Sequence, residues 1–186
     1  MKANNYTGEN FEWEIRKSLD DAGWWWFRIQ DTNDVSRFAK KAIAEKQPGD
    51  FFTVEDGKPI LIECKTSRNR TSFPLYYNKK AAVPRHQIDY ALDLVKSGGY
   101  AWFFIRKDIP RNKRVFALRP DQMNMIYSHA DKKSIKWEVI ETLAIELPRL
   151  SKPVRYDLSI LLNSMKEVAP GQWKPKSDTN NIGDYE

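Results

Sequence analysis

A single α/β domain, built on a central mixed β-sheet flanked by helices, is the fold that this 186-residue sequence predicts. Three observations carry that expectation. Apolar residues recur at helical spacing near the start of the chain and again after Pro84. Between these helices lie two extended runs joined by an Asp56-Gly57 turn, and a near-continuous apolar strand follows the second helix. At 41% hydrophobic residues the chain supports one full core, with no internal repeat and no linker break.

In chain order, Thr7 caps a first helix that runs to about residue 22, with Gly23 as its stop. Phe11, Ile15, Leu19 and Ala22 define its buried stripe. Among Glu9, Glu12 and Glu14, Glu12 lies nearest that stripe, roughly 60° from its centre at about 100° per residue. Residues 24–29 are aromatic-rich and read as a strand. Asp34 caps a helical segment through about residue 46, with Val35, Phe38, Ala42 and Ile43 on its apolar side, and Pro48-Gly49 ends it. A hairpin of residues 51–54 and 60–65 follows, its turn glycine at positive φ. Residues 66–82 are polar, basic and proline-bearing, and read as a long loop. Pro84 opens a helix that buries Ile88, Ala91, Leu92 and Val95 before Gly98-Gly99 stops it. Residues 100–105 form an apolar strand with 115–118 as its neighbour, and 120–128 and 156–166 are further helices. The expected domain is residues 1–167. The Pro-, Gly-, Asn-, Lys- and Asp-rich stretch 168–186 is expected to be a flexible tail.

Composition narrows the classes. No run of about 18 apolar residues is present, so a membrane helix is not expected. The first residues lack the apolar stretch of a signal peptide. A single cysteine, Cys64, cannot form an internal disulfide and suits a reducing cytoplasm. No Cys/His cluster suggests a zinc site. The net charge of +6 is uneven: residues 65–114 hold twelve Lys/Arg against three Asp, a surplus of nine, so the remainder is negative by three. The basic segment reads equally as a phosphate-backbone footprint and as a solvated face.

The chemistry concentrates in Gln47-Pro48-Gly49-Asp50 and Ile60-Leu61-Ile62-Glu63-Cys64-Lys65-Thr66. Asp50 opens one strand of the hairpin, and the alternation of the other puts Glu63 and Lys65 on one face and Cys64 on the other. Two carboxylates beside a lysine suit metal-dependent phosphodiester hydrolysis, with oxygen ligands for Mg²⁺ and an ammonium near the attacked phosphate. The same three residues would also make an edge-strand ion pair of small value.

Pro48-Gly49-Asp50 with Glu63-Cys64-Lys65 resembles the PD-(D/E)xK nuclease superfamily of restriction enzymes and archaeal-type junction resolvases, which implies a restriction-endonuclease-like core. Lys65-Thr66-Ser67, Arg70-Thr71-Ser72-Phe73-Pro74-Leu75, His86-Gln87, Gly98-Gly99 and the strand to Ile105 are similar to RecU, the Holliday junction resolvase family of Gram-positive bacteria and their phages. A weaker echo lies in Pro148-Arg149 and residues 156–160. The resemblance covers roughly residues 47–105, and a short, tail-bearing chain fits a phage or viral version acting in the host cytoplasm.

The resemblance implies a Mg²⁺-dependent endonuclease, with Mn²⁺ as a substitute, that acts as a homodimer on four-way DNA junctions. It would leave 5′-phosphate and 3′-hydroxyl ends. By position, Asp50 and Glu63 would be metal ligands, Lys65 would stabilise the transition state, and Gln87 would reach the metal site. Glu12 would be the first-helix acid, and the Cys64 backbone carbonyl a further ligand. Arg68, Arg70, Lys79, Lys80 and Arg85 would bind phosphates; Tyr76 and Tyr77 would either stack on exposed bases or pack the loop. Residues 34–46, with Lys40 and Lys41, fall where the family has its projecting stalk, with a plain surface helix as the alternative. Two departures stand out: Pro48 replaces the threonine ligand that the family carries two positions before the aspartate, and the loop from Leu75 to His86 is longer than usual. A nuclease of the same chemistry with another DNA target, and a non-catalytic DNA-binding module, are the competing readings.

Overall fold

The computed structural model describes residues 6–29, 47–128, 133–151 and 153–167. The expected segment 34–46, with Lys40 and Lys41, and the stretch 168–186 lie outside the described residues. Helix α1 (Tyr6–Asp21) is followed by strands β1 (Trp25–Arg28), β2 (Phe51–Glu55) and β3 (Lys58–Ser67), each antiparallel to the one before it in that series. The helix begins before Thr7, which therefore lies in its first turn instead of capping it. At the β2–β3 turn both Asp56 and Gly57 have positive φ, the primed geometry whose twist matches that of paired strands.

Helix α2 (Arg85–Lys96) then crosses over to β7 (Tyr100–Ile109), which runs parallel to β3 from Ile60 opposite Tyr100 to Ser67 opposite Lys107. A hairpin leads to β8 (Asn112–Leu118), and β10 (Ile145–Leu147) closes the far edge. The sheet order β1-β2-β3-β7-β8-β10, with one parallel pair, is the mixed sheet expected from the sequence.

Alternation along β3 and β7 feeds two separate cores. Ile60, Ile62, Trp102 and Phe104 pack with Phe11, Ile15 and Leu19 of α1 and with Leu161 and Met165 of α5 (Ser159–Glu167). Leu61, Phe103 and Ile105 face the other way, against Ile88 and Ala91 of α2, Met123 of α3 (Pro120–Ser128) and Trp137 of α4 (Trp137–Leu143). Because helices cover both faces, β7 is buried from Tyr100 to Asp108, which explains its unbroken apolar run.

Three sequence expectations need correction. The stretch 66–82 is not all loop: β4 (Ser72–Pro74) pairs with β9 (Ser134–Lys136), and β5 (Tyr76–Tyr77) forms a tight hairpin with β6 (Lys80–Ala81). Strands of two or three residues leave no periodicity to detect. The elements β9, α4 and β10 were not anticipated, because α4 is a seven-residue helix too short for a clear stripe. Trp137 anchors it, buried and donating from its indole N–H to the Asn69 carbonyl at 2.9 Å. Finally, α5 starts at Ser159 because Arg155–Tyr156 is taken up as β12, paired with β11 (Arg149–Leu150).

A charged network ties α1 to the sheet. Arg106 on β7, 1% exposed, donates to Glu14 at 3.0 Å and to Thr66 at 3.3 Å, and its guanidinium lies 4.7 Å over the Phe11 ring. The Tyr156 hydroxyl donates to the same Glu14 oxygen at 2.9 Å. Glu14, not Glu12, is thus the acid of α1 that is drawn furthest inward, with side-chain exposures of 14% and 21% respectively.

Candidate active site

The site lies where the entry to β2 meets the second half of β3. Residue 49 has to be small there: a Cβ on Gly49 would lie 3.0 Å from the Ile62 carbonyl oxygen. That close approach lets the Asp50 N–H donate to the same carbonyl at 2.9 Å. The Asp50 carboxylate in turn accepts from the Cys64 N–H at 2.7 Å. Main chain on both sides therefore fixes Asp50.

Glu63 and Lys65 follow Leu61 in the alternation and face α2. Their side chains form an ion pair, and the Glu63 carboxylate is almost fully buried. From the first turn of α2, the Gln87 amide donates to the other Glu63 oxygen at 2.8 Å. The residues expected from sequence at the centre, Asp50, Glu63, Lys65 and Gln87, are brought together. Cys64 points to the opposite face and packs against the α1 core.

Burial dominates the electrostatics. It pushes Asp50 up to about 6, opposed by Lys65 and the Cys64 N–H, reinforced by Glu12 and reduced by Arg28. It pushes Glu63 up to about 7, and the neighbouring Asp50 charge adds to this while Lys65 and Gln87 oppose it. Burial alone would lower Lys65, but the attraction and hydrogen bond of Glu63, with Asp50, outweigh it and hold the ammonium charged. Burial and the two acids raise the Cys64 thiol well above its usual value, so it is not a ready nucleophile.

Two like-charged carboxylates held together against burial form a place for a hard cation. Gln87 Oε1 supports this reading, since it is buried without a hydrogen-bond partner. Among the described residues no cluster of three or more His, Cys, Asp or Glu side chains is poised for a metal. A cation here would instead combine Asp50 and Glu63 with Gln87 Oε1, main-chain oxygen such as the Cys64 carbonyl, and water, a set that suits Mg²⁺ or Mn²⁺.

The outer residues divide. Glu12 is engaged by Arg28, at 2.8 Å, and both act on Asp50, so this pair borders the site. Arg28 was not singled out in the sequence; its only signal was a cation ending an aromatic strand. Lys79 and Lys80 are exposed at the tip of the β5–β6 hairpin, and Arg70 is exposed in the turn after β3. Arg85 is held by Asp89 at 2.9 Å and Asn124 at 2.7 Å, and Arg68 reaches Asp108 at 3.4 Å. Tyr76 lies edge-on to Tyr127, whereas Tyr77 turns toward Ser67 and Lys65.

The mixed sheet with an acid pair and a lysine on adjacent strands defines an α/β protein with a candidate phosphodiester-handling site. The chain belongs to the RecU family: the sequence profile described as Recombination protein U matches residues 27–162. The Holliday junction resolvase RecU of Shouchella clausii (strain KSM-K16) is 32% identical over 109 residues, which cover 58% of this chain and 49% of that protein. The chain thus spans about half the length of this curated relative. Among solved structures, Hjc, a Holliday junction resolvase from the archaeal hyperthermophile Archaeoglobus fulgidus, is similar with a TM-score of 0.47 and 17% identity, covering 75% of this chain and 95% of that one. Among the described residues no helix is long and apolar enough to cross a membrane.

Proposed function

We propose that this protein is a divalent-metal-dependent endodeoxyribonuclease that resolves four-way DNA junctions, as its RecU relative is named for doing. The observation that carries the reading is the convergence of Asp50, Glu63, Lys65 and Gln87 in a chain of this family. Asp50, Glu63, Gln87 Oε1 and the Cys64 carbonyl would hold Mg²⁺ or Mn²⁺. Bound there, the ion supplies charge neutralisation and lowers the pKa of water for in-line attack on the phosphodiester.

The chain's own groups do the rest. Lys65 stays charged, so it acts as an electrostatic partner of the phosphoryl oxygens and an orienter of the attacking water, not as a base. Gln87 holds Glu63 in one rotamer, leaving its second oxygen for Lys65 or the cation. Products would carry 5′-phosphate and 3′-hydroxyl ends. A four-way junction has near two-fold symmetry, so paired cuts on opposing strands call for a symmetric homodimer in the cytoplasm of a cell or host.

The deciding experiment compares cleavage of a synthetic four-way junction and of matched linear duplexes, with Mg²⁺ and Mn²⁺ in parallel. Faster, symmetric cutting of the junction is expected. Asp50→Asn and Lys65→Ala should each abolish it. Equal rates on both DNAs would remove the junction specificity, and undiminished cutting by both variants would remove this active site.

A further inference from the structure

The β5–β6 hairpin is built to hold its shape at the rim of the site. Its turn residues Asn78 and Lys79 both have positive φ, 46° and 68°, the primed geometry that keeps a two-residue loop tight. A two-residue ladder has little stability alone. This one is clamped at its base. The Ala82 N–H donates to the Leu75 carbonyl at 2.8 Å. The Tyr127 hydroxyl of α3 accepts from the Val83 N–H at 2.9 Å and donates to the Leu75 carbonyl at 3.2 Å. Leu75 and Val83 are themselves buried in the α2–α3 core. The hairpin is therefore a braced projection and not slack loop.

Its two tyrosines point to opposite sides. Tyr76 packs edge-on against Tyr127, with ring centroids 6.1 Å apart, and helps brace the base. Tyr77 turns toward the far end of β3, where Ser67 and the charge of Lys65 both bear on its hydroxyl. It nonetheless remains 50% exposed. The hydroxyl end of the ring lies toward the rim of the site while the rest of it meets solvent, and Lys79 and Lys80 extend exposed beyond it.

We infer that this hairpin is a nucleotide-engaging element, in which the Tyr77 ring stacks on an unpaired base next to the attacked phosphodiester while Lys79 and Lys80 hold flanking phosphates. The inference rests on the nuclease reading above. A phosphate drawn to Lys65 brings the adjoining sugar and base beside the Tyr77 ring. An exposed aromatic next to a pair of cations is the combination that binds single-stranded nucleic acid, by base stacking and phosphate contact together. A base inside a continuous duplex has no free face to offer. A nucleotide at a branch point does, so the hairpin would favour interrupted DNA over plain duplex.

The test uses the full chain in Ca²⁺, with 5-iodouracil placed at each position around the branch of a four-way junction. A linear duplex and a single strand of the same sequence are run in parallel. Irradiation is expected to crosslink the junction to the peptide that contains Tyr77. Tyr77→Ala should lose the crosslink and bind the junction roughly tenfold more weakly, as the loss of one stacked base implies. Tyr77→Phe keeps the ring but loses the hydroxyl, and should bind like the parent. Replacing both lysines with alanine should lower affinity and flatten its salt dependence. The inference is overturned by unchanged affinity in Tyr77→Ala, by a Phe variant as weak as the Ala variant, or by a crosslink that maps elsewhere. Equal affinity for junction and duplex, with the crosslink at Tyr77 intact, would instead count against the junction reading and leave the hairpin's role standing.

Discussion

Gln87 donates from its amide to Glu63 at 2.8 Å across the gap between α2 and β3, while its own carbonyl oxygen is buried with no hydrogen-bond partner. An amide placed this way serves two groups at once: its N–H₂ fixes one carboxylate oxygen and its oxygen waits for a donor or a cation. Leaving a buried carbonyl unpaired costs about 1–3 kcal/mol, which a bound divalent ion would recover. Gln87→Ala should therefore raise the Mg²⁺ concentration needed for half-maximal cleavage by roughly tenfold or more, the usual range for a lost supporting group. A metal titration of cleavage rate checks it. An unchanged midpoint would confine Gln87 to a packing role.

The acid pair predicts an unusual pH dependence in the metal-free protein. Unfolded, Asp50 and Glu63 ionise near 3.8 and 4.5; folded, they do so near about 6 and about 7. Between those values the folded chain binds more protons than the unfolded one, so this pair makes stability fall as pH rises from about 4 to about 7 and level off above. Asp50→Asn, which keeps an oxygen for the Cys64 N–H, should flatten that slope. It should also gain roughly 3 kcal/mol at pH 8, in line with about 1.4 kcal/mol per pKa unit for a shift from 3.8 to about 6. Urea unfolding at pH 5 and pH 8 in EDTA measures it. Saturating Mg²⁺ should stabilise the parent protein above pH 7 and do little for Asp50→Asn.

The residues that were legible in the sequence were those whose spacing is local. Glu63 and Lys65 had to share a face because a strand has period two, and Leu61 before them shows which face that is. The apolar run of 100–105 announced a doubly covered strand, which the structure extends to Ile109 because Arg106, Lys107 and Asp108 are buried as paired charges. Contacts set by tertiary distance were not legible. Arg28 meets Glu12 sixteen positions away, and Glu14 meets Arg106 ninety-two positions away. On a helical wheel Glu14 points further from the apolar stripe than Glu12, yet the cation on β7 draws it in.

That cation supports a stability prediction. Arg106 is 1% exposed, and the Glu14 carboxylate is its charge partner across the α1 interface. Removing one member of a buried ion pair takes a charge partner from the other, at a cost of about 3–5 kcal/mol. Glu14→Ala should be destabilised by that amount in urea unfolding. The exposed pair Lys96–Asp93 offers a contrast, because Asp93→Ala should change stability by less than about 1 kcal/mol. If the two variants proved alike, the Arg106 network would not be what fastens α1 to the sheet.

Two glycines, one in the β2–β3 turn and one just before β2, separate positioning from stability. Gly57 sits at the turn with φ of 71° and open space around its Cα, so Gly57→Ala strains the backbone without touching anything. It should cost about 1 kcal/mol and leave cleavage unchanged. Gly49 is the reverse case: its added methyl would meet the Ile62 carbonyl at 3.0 Å and the Leu61 side chain at 3.0 Å. Leucine can shift; the carbonyl cannot, because it belongs to β3 and already accepts the Asp50 N–H. Relieving the contact shifts the chain at residues 49–50 by a few tenths of an ångström and loosens the hold of the Cys64 N–H on the Asp50 carboxylate. A misplacement of about 1 Å at a reacting site costs about 10²-fold in rate, so this smaller shift should cost roughly tenfold. Single-turnover cleavage by Gly49→Ala should fall by that order while its unfolding midpoint stays close to that of Gly57→Ala. Parent-like cleavage by Gly49→Ala would mean that the close approach at Ile62 does not set the position of Asp50.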